Sequence, residues 1–265
     1  MSMKNAHRLF LRTLMSRQFM KEAEIKTIYQ KSCEAYDEDC SDDQFQGFIN
    51  TVNRSLKPLF LEIRHVVSED NGVLYFGLIN TTEDEHSKMA TDYSPNDITL
   101  FKKAIDLIIN SDDGTVSSLD LINCAADLEK KMACSYTENL LERLVLDKWM
   151  DESSGIYSLG GRAMLELEQY LRRVYEDDIV ECMMCKKIAL KCQTCEQCEG
   201  KLHKHCAGKY FAGRAQHICP NKNCGAPWTH DVPILPSSRS NVTSKGKGPA
   251  SSTVGPSSHR TRRSR

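Results

Sequence analysis

The chain has 265 residues, enough for one large domain or for two to three small ones. Lys and Arg number 35 and Asp and Glu 36, so bulk charge gives no attraction to a polyanion. No apolar run reaches the roughly 18 residues of a membrane span, and the arginine-interrupted N-terminus lacks the core of a signal peptide. We therefore expect an intracellular protein without a membrane partner, in which clustered cysteines bind metal.

The first third of the chain predicts three helices followed by a β-hairpin. Apolar residues recur at helical spacing twice, and an S-x-x-Q pattern from Ser41 to Gln44 predicts a capping box that opens the third helix. Two alternating segments flank "EDNG", which is a tight-turn signal. The helices are predicted at 4–15, 21–33 and 41–57, and the strands at 59–67 and 73–79. This order is typical of a winged-helix domain, placed at 1–90.

The same order of elements recurs in the middle third. Helical patterns over 97–110 and 117–131 precede a second predicted capping box, Ser135 to Glu138, at the start of a third helix. A short hairpin follows, with Ser153-Ser154-Gly155 as its turn, and "GRAMLELEQYLRRVYE" predicts a closing amphipathic helix. We therefore predict an α+β fold with a second winged helix at 95–178; a generic α+β domain is the alternative.

Winged helices bind DNA or other proteins, and the charge on the third helix of each unit favours proteins. Helix 41–57 has two acidic and two basic residues, and helix 137–148 has three acidic and two basic residues. Neither forms the basic face that neutralises phosphates along a major groove. Protein docking is therefore the expected role, with direct DNA binding as an alternative.

Eight of the 12 cysteines crowd between Cys182 and Cys224. Ten candidate ligands compete for the eight positions that two tetrahedral zinc sites offer. Pairing Cys195 with Cys198 and His203 with Cys206 gives C-x2-C-x9-C-x2-C-x4-H-x2-C-x12-C-x4-C, in which every ligand belongs to a close pair. In that string Cys192 is a spare thiol. Two rival assignments remain: Cys192 with Cys195 as the second pair, and His205 in place of His203.

The regular pairs predict a cross-braced module at 180–232, in which pairs one and three bind one ion and pairs two and four the other. The first set is Cys182, Cys185, His203 and Cys206; the second is Cys195, Cys198, Cys219 and Cys224. Four protein ligands close each shell, so both Zn²⁺ ions should be structural rather than hydrolytic. A module this small would draw most of its folding free energy, about 10 kcal/mol or more per site, from the metal. RING and PHD modules share this ligand order.

Together these features resemble the non-SMC element 1 family, subunits of the structural maintenance of chromosomes 5–6 complex. The resemblance covers about 1–232 and is most specific in "CMMC…CEQCEGKLHKHC…CPNKNC…PW" and the helix before it. It implies tandem winged helices that dock a MAGE-type subunit, a kleisin partner and a variant RING domain. It further implies ubiquitin ligase activity, a nuclear, chromosome-associated location and a role in DNA repair by homologous recombination.

A RING ligase binds a ubiquitin-charged conjugating enzyme and orients its thioester, without a covalent catalytic residue of its own. The positions that match the usual conjugating-enzyme groove are Met184, Tyr210 and Pro220; ordinary packing is the alternative for all three. Many active RINGs carry a basic residue directly after the last ligand, where this chain has Gly225, and the final pair has x4 spacing instead of x2. We therefore expect a ligase that is weak without its partner.

Two further interpretations stay open. The zinc module could serve a non-enzymatic scaffold, or read a peptide as a PHD finger does, although His217 replaces the aromatic residue usual two positions before the seventh PHD ligand. Residues 237–265 are rich in Ser, Gly, Pro and basic residues, which predicts a disordered tail. Its terminal "HRTRRSR" would contact DNA, alongside contacts made through the complex, or act in nuclear import; a solubilising tail is the alternative.

Overall fold

A computed structural model describes residues 3–81 and 93–233. Each of the first two segments has the order helix, strand, helix, helix, strand, strand, and each forms a three-stranded sheet with its first strand hydrogen-bonded to its last. This arrangement is consistent with tandem winged helices, and we use the names first and second winged helix for residues 3–81 and 93–175. The predicted tail, 237–265, lies outside the described residues, and the predicted domain boundaries stay predictions. No helix of the described part is long and apolar enough to cross a membrane.

The first winged helix is built around a cluster of buried aromatic and aliphatic side chains. Phe48 is central, because it stacks on His7 at 4.1 Å between ring centroids and meets the edges of Phe10 and Tyr29. The elements are α1 (Asn5–Arg17), β1 (Phe19–Lys21), α2 (Glu22–Glu34), α3 (Phe45–Leu56), β2 (Leu61–Val67) and β3 (Leu74–Asn80).

The β2–β3 hairpin confirms the predicted turn. Leu61 pairs with Asn80 at one end and Val67 with Leu74 at the other, so the loop between the strands contains "EDNG". In winged-helix terms this loop, residues 68–73, is the wing of the first domain. Strand β1, which no pattern in the sequence predicts, pairs with β3 at the sheet edge opposite β2.

The second winged helix has a larger core centred on Trp149. The indole is 1% exposed, meets the edge of Phe101 and lies under the guanidinium of Arg162 at 4.4 Å. The elements are α4 (Pro95–Ile109), β4 (Val116–Ser117), α5 (Ser118–Ala126), α6 (Cys134–Leu146), β5 (Met150–Ser153), β6 (Ile156–Leu159), α7 (Gly161–Glu166) and α8 (Glu168–Val174).

Both predicted capping boxes are wrong. Ser41 precedes a single 3-10 turn, Asp42–Gln44, without a side-chain cap, and α3 begins only at Phe45. Ser135 lies inside α6, whose N-cap is Ala133. A true capping box opens α4, where Ser94 Oγ accepts from the Asp97 backbone N–H and Asp97 Oδ2 accepts from the Ser94 N–H. The pattern is too short to mark a helix start without tertiary contacts.

The single closing helix predicted from "GRAMLELEQYLRRVYE" is interrupted at Leu167. Leu165 packs near Gly77 in the first domain's sheet, whereas Leu167 belongs to the core of the second domain. Residues two positions apart cannot face the same side of a regular helix. Leu165 and Leu167 therefore pack against different winged helices, and this segment joins the two domains.

Candidate metal centre

The C-terminal module has very little regular structure and an unusually small core. It contains β7 (Cys192–Thr194), β8 (Lys201–His203) and α9 (Lys204–Phe211). Phe211, Leu202 and Trp228 are the large apolar side chains of its own core, and Gln193 accepts from the Trp228 indole Nε1–H at 3.0 Å. Four of the ten buried members of this core are cysteines that the spacing predicts as zinc ligands. Such a core gives little burial, so the module needs another source of stability.

Two similar turns present the first four predicted cysteines. In each Cys-x2-Cys segment the residue after the second cysteine, Lys186 or Glu199, adopts a left-handed conformation. Its backbone N–H donates to the carbonyl of the first cysteine, at 3.0 Å in one turn and 2.9 Å in the other. The left-handed residue reverses the chain, so both thiols of a pair project to the same side.

The structure brings the eight predicted ligands together in the two predicted groups. Cys182, Cys185, His203 and Cys206 form one group, and Cys195, Cys198, Cys219 and Cys224 form the other. Within each group the donor atoms all lie within 4.8 Å of one another. Each group combines ligands from two separated pairs, which is the cross-braced arrangement.

The distances between donor atoms fit tetrahedral zinc. Sulfur atoms bound at about 2.3 Å to one tetrahedral ion lie about 3.8 Å apart; Cys195 and Cys224 are 3.8 Å apart, and Cys198 and Cys219 3.6 Å. In the first group His203 Nδ1 lies 3.3 Å from the Cys185 sulfur. All these separations exceed the roughly 2.05 Å of a disulfide. The residues present therefore fit zinc.

The pKa values of the thiols in the first group also favour a bound cation. The hydrogen bond to Cys206 lowers the pKa of the Cys182 thiol to about 2, and the same contact raises the pKa of Cys206 far above its ordinary value. One thiolate is therefore favoured, whereas a second thiolate beside it is not. A divalent ion at the centre offsets that repulsion and allows three thiolates to coexist.

The second group behaves in the same way. A backbone hydrogen bond from Gly200 lowers the pKa of Cys198 to about 7, whereas burial raises the pKa of Cys219 to about 12.

All four thiols of this group come from residues 195–224. Among the described residues, the second group therefore takes no ligand from a winged helix.

The two remaining candidate ligands, His205 and Cys192, lie outside both donor groups. His205 is buried and stacks on His203, its Nδ1 has no hydrogen-bond partner, and burial lowers its pKa to about 4. The sulfur of Cys192 lies 3.7 Å from the Ala189 carbonyl oxygen, and burial raises the pKa of this thiol. Neither side chain belongs to a four-donor group.

We expect Cys192→Ser to retain both metal ions, because its sulfur faces backbone carbonyls and stays protonated at neutral pH. Cys195→Ser, three residues away, should lose one ion, because its thiol is a donor in the second group. Colorimetric zinc determination on the two purified chains checks this difference. Equal zinc loss in both would instead place Cys192 among the ligands.

The predicted conjugating-enzyme contacts lie at the surface of the module. Met184 is 46% exposed between the first two cysteines, and Pro220 is half-buried directly after Cys219. Tyr210 packs edge-on against Phe211, and the guanidinium of Arg214 lies 4.2 Å above its ring. All three stay predictions as contact residues.

Sequence reasoning missed one residue of the first group's surroundings. Glu69, in the wing of the first domain, places its carboxylate 2.8 Å from His203 Nε2. The two residues are 134 positions apart, and the sequence pattern around Glu69 predicts only a turn. No local pattern in the sequence signals this contact.

Comparisons with known proteins agree with this architecture. A family model described as "Nse1 non-SMC component of SMC5-6 complex" matches residues 7–127, and a RING-like domain model matches 182–224. A Xenopus tropicalis protein named non-structural maintenance of chromosomes element 1 homolog is 38% identical over 263 residues, covering 98% of this chain and 94% of that protein. The chain belongs to the Nse1 family.

Other Nse1-family relatives extend the match. The human homolog is 37% identical over 232 residues, covering 87% of this chain and 86% of its own, and the Schizosaccharomyces pombe protein is 30% identical over 191 residues, covering 71% and 79%. A solved chain from an "Nse1-Nse3-Nse4 complex" superposes with a TM-score of 0.80 at 37% identity, covering 88% of this chain and all of that one. The Nse1 fold thus accounts for both winged-helix segments and the RING-like module.

Proposed function

We propose that this chain is a RING-type ubiquitin ligase subunit of a structural maintenance of chromosomes 5–6 complex. The observation that carries the proposal is the pair of closed four-donor groups in C4HC3 order, within a chain of the Nse1 family. When bound, the two Zn²⁺ ions would supply folding free energy and no hydrolytic chemistry, because four protein ligands leave no position for water. The module would then orient the thioester of a charged conjugating enzyme.

The proposed surface for that enzyme includes Met184, Tyr210 and Pro220. The place of a basic linchpin is occupied by Gly225, which has a left-handed backbone (φ +66°) and no side chain. A ubiquitin-charged conjugating enzyme would therefore bind less tightly than it binds to RING domains that have the basic linchpin residue. We propose that ligase activity depends on a partner subunit.

For that partner we propose a MAGE-type subunit docked on the winged helices, with a kleisin in the same assembly. Large apolar side chains are exposed on both domains; they are Leu59 (65%), Phe60 (60%), Leu119 (64%) and Leu146 (75%). Phe60 is also held at φ +55°, which costs a non-glycine residue about 1–2 kcal/mol, although its ring gains no burial. Strain on an exposed aromatic side chain is consistent with a protein contact.

Direct DNA binding through the first winged helix is less well supported. Three polar residues of α3, Gln46, Asn50 and Asn53, line a cavity of about 1100 Å³ that is also bounded by Lys148 and His203 of the other two segments. Seven carboxylates and five cationic side chains line this cavity. An excess of negative charge disfavours a phosphate backbone. We propose that DNA is reached through the complex or the basic tail, in a nuclear role in recombinational repair.

The test is single-turnover discharge of ubiquitin from a charged conjugating enzyme by the full chain, with and without a MAGE-type partner. We expect discharge that rises with the partner, falls at least tenfold in Met184→Ala with both zinc ions retained, and is lost in Cys195→Ala. The Met184 variant separates enzyme contact from module folding, because its exposed side chain is outside both donor groups.

A non-enzymatic scaffold is the second candidate, and Gly225 in place of a linchpin cation is the observation that favours it. Absence of discharge across a broad panel of conjugating enzymes, with the partner present and two zinc ions bound, would establish the scaffold and overturn the ligase proposal. A steep salt dependence of duplex binding by the purified chain would favour direct DNA contact instead.

A further inference from the structure

The wing of the first winged helix reaches the first metal group of the RING-like module. Glu69, in the β2–β3 loop, has a side chain only 10% exposed, and its Oε1 lies 2.8 Å from His203 Nε2. An unpaired carboxylate buried to this extent would be strongly disfavoured. Its position therefore requires donors, and the module supplies them.

Three donors of the module converge on this carboxylate. The backbone N–H of Leu190 donates to Oε1 at 3.0 Å, and that of Lys191 donates to Oε2 at 3.2 Å. The imidazole of His203 is the third donor. Both oxygens of Glu69 are thus engaged by a segment more than 120 residues away.

The surroundings of His203 select one tautomer of its ring. Nε2 lies within hydrogen-bond distance of two oxygens, those of Glu69 and of the Ile188 carbonyl at 2.9 Å, and both oxygens can only accept. Nε2 must therefore carry the proton. In the neutral ring, the form that binds a metal ion, Nδ1 then keeps its lone pair. This atom lies 3.3 Å from the sulfur of Cys185 and 3.8 Å from that of Cys206.

We propose that Glu69 is a positioning residue for the first zinc ion, so that the wing of one domain completes the metal centre of another. A carboxylate that accepts from the distal nitrogen of a ligating histidine fixes the ring's orientation and raises its basicity. Removal of such a partner typically weakens metal binding about 10- to 100-fold. The inference rests on the proposed zinc binding and adds a residue outside the eight ligands.

A consequence is reciprocal coupling between metal binding and domain docking. If the wing strengthens zinc binding at the first group, zinc must strengthen the seating of the module on the wing by the same factor. The second group has no described donor from a winged helix, so its ion should be independent of the wing. The two ions of one module would then differ in their response to a change 134 residues away from His203.

Other contacts hold the wing in place without Glu69. Lys191 Nζ lies 2.6 Å from Asp70 Oδ2 and 2.8 Å from Ser158 Oγ, which links the module to both winged helices. Gly72 approaches His205 so closely that an added Cβ would lie 2.8 Å from the histidine Cβ. Asp70 therefore offers a matched control, since it belongs to the same wing and its carboxylate binds Lys191 instead of His203.

The test compares zinc release from the full chain and from Glu69→Gln and Asp70→Asn, each mixed with excess chelating dye. Glutamine has nearly the same shape as glutamate. Its amide NH2 group can only donate hydrogen bonds, so it would face one of the three N–H donors that now bind the carboxylate. We expect Glu69→Gln to release one of its two ions about 10- to 100-fold faster and the other at the wild-type rate. Asp70→Asn should release both within about twofold of the wild-type rate, because the Asp70 side chain is 51% exposed and its ion pair contributes little to docking.

Cobalt substitution identifies the affected ion. The centre with three thiolates and one imidazole and the centre with four thiolates give distinguishable visible absorption, and only the bands of the imidazole-containing centre should shift in Glu69→Gln. Should Glu69→Gln not fold, Glu69→Asp, which keeps the charge but withdraws it by one methylene, is expected to accelerate release of the same ion by a smaller factor. Circular dichroism of the zinc-loaded proteins confirms that each compared variant is folded.

Four results would overturn the inference. Wild-type release of both ions by the Glu69 variants would show that the carboxylate has no role at the metal. Equal acceleration of both ions, or equal acceleration by Asp70→Asn, would show only a general loss of docking. If the wild-type chain itself did not bind two ions, the zinc proposal would fail as well, and that outcome is read from the zinc content before any release experiment.

Discussion

Removal of zinc should unfold the RING-like module and leave both winged helices folded. The module's core contains only a few large apolar side chains beside its buried ligand cysteines, so bound metal must supply about 10 kcal/mol or more per site. The winged helices have their own cores around Phe48 and Trp149. Hydrogen exchange after treatment with a strong chelator should therefore show lost amide protection over 182–228 and retained protection in α1 and α4.

Restoration of zinc serves as the control for chelator treatment, and protection should return with it. In the wing we expect partial loss of protection near Glu69, because its three donors belong to the module that unfolds. Full amide protection of the module after both ions have been removed would contradict the prediction that bound metal stabilises its fold.

Replacement of Trp149 by alanine should destabilise the second winged helix by about 3–5 kcal/mol. The indole is 1% exposed, packs edge-on with Phe101 and supports the Arg162 guanidinium, which forms an ion pair with buried Glu166. A loss of this size is a large part of the roughly 5–15 kcal/mol typical of a folded domain. Urea denaturation followed by circular dichroism measures it.

Leu146→Ala is the matched control for the tryptophan variant. Leu146 is three positions away and 75% exposed, so its truncation should change the free energy of unfolding by no more than about 0.5 kcal/mol. A cost below about 1 kcal/mol for Trp149→Ala would show that the core is not organised around this side chain.

The metal groups could be predicted from the sequence because zinc ligands are constrained locally. The spacing of Cys182 and Cys185, or of Cys195 and Cys198, is set by a single turn, and the structure brings each pair together through the same left-handed residue. The hairpin of β2 and β3 was predictable for a related reason, because the alternation of apolar and polar residues and the turn signal "EDNG" both indicate it.

The remaining features depend on tertiary contacts that no local pattern records. Strands β1 and β4 are three and two residues long, too short to show a period. The packing of Leu165 on the first domain's sheet and of Leu167 in the second domain's core joins two units that lie far apart in the sequence. The contact between Glu69 and His203 joins a wing to a zinc ligand across 134 positions, and only the folded chain reveals it.

Native mass spectrometry of the full chain tests the proposed RING function most directly, because that function requires two closed zinc centres. The wild-type mass should include two zinc ions, and Cys182→Ala and Cys219→Ala should each retain one, since their thiols belong to different donor groups. A folded wild-type chain without zinc, or one with disulfides among these cysteines, would contradict the cross-braced module and the function proposed for it.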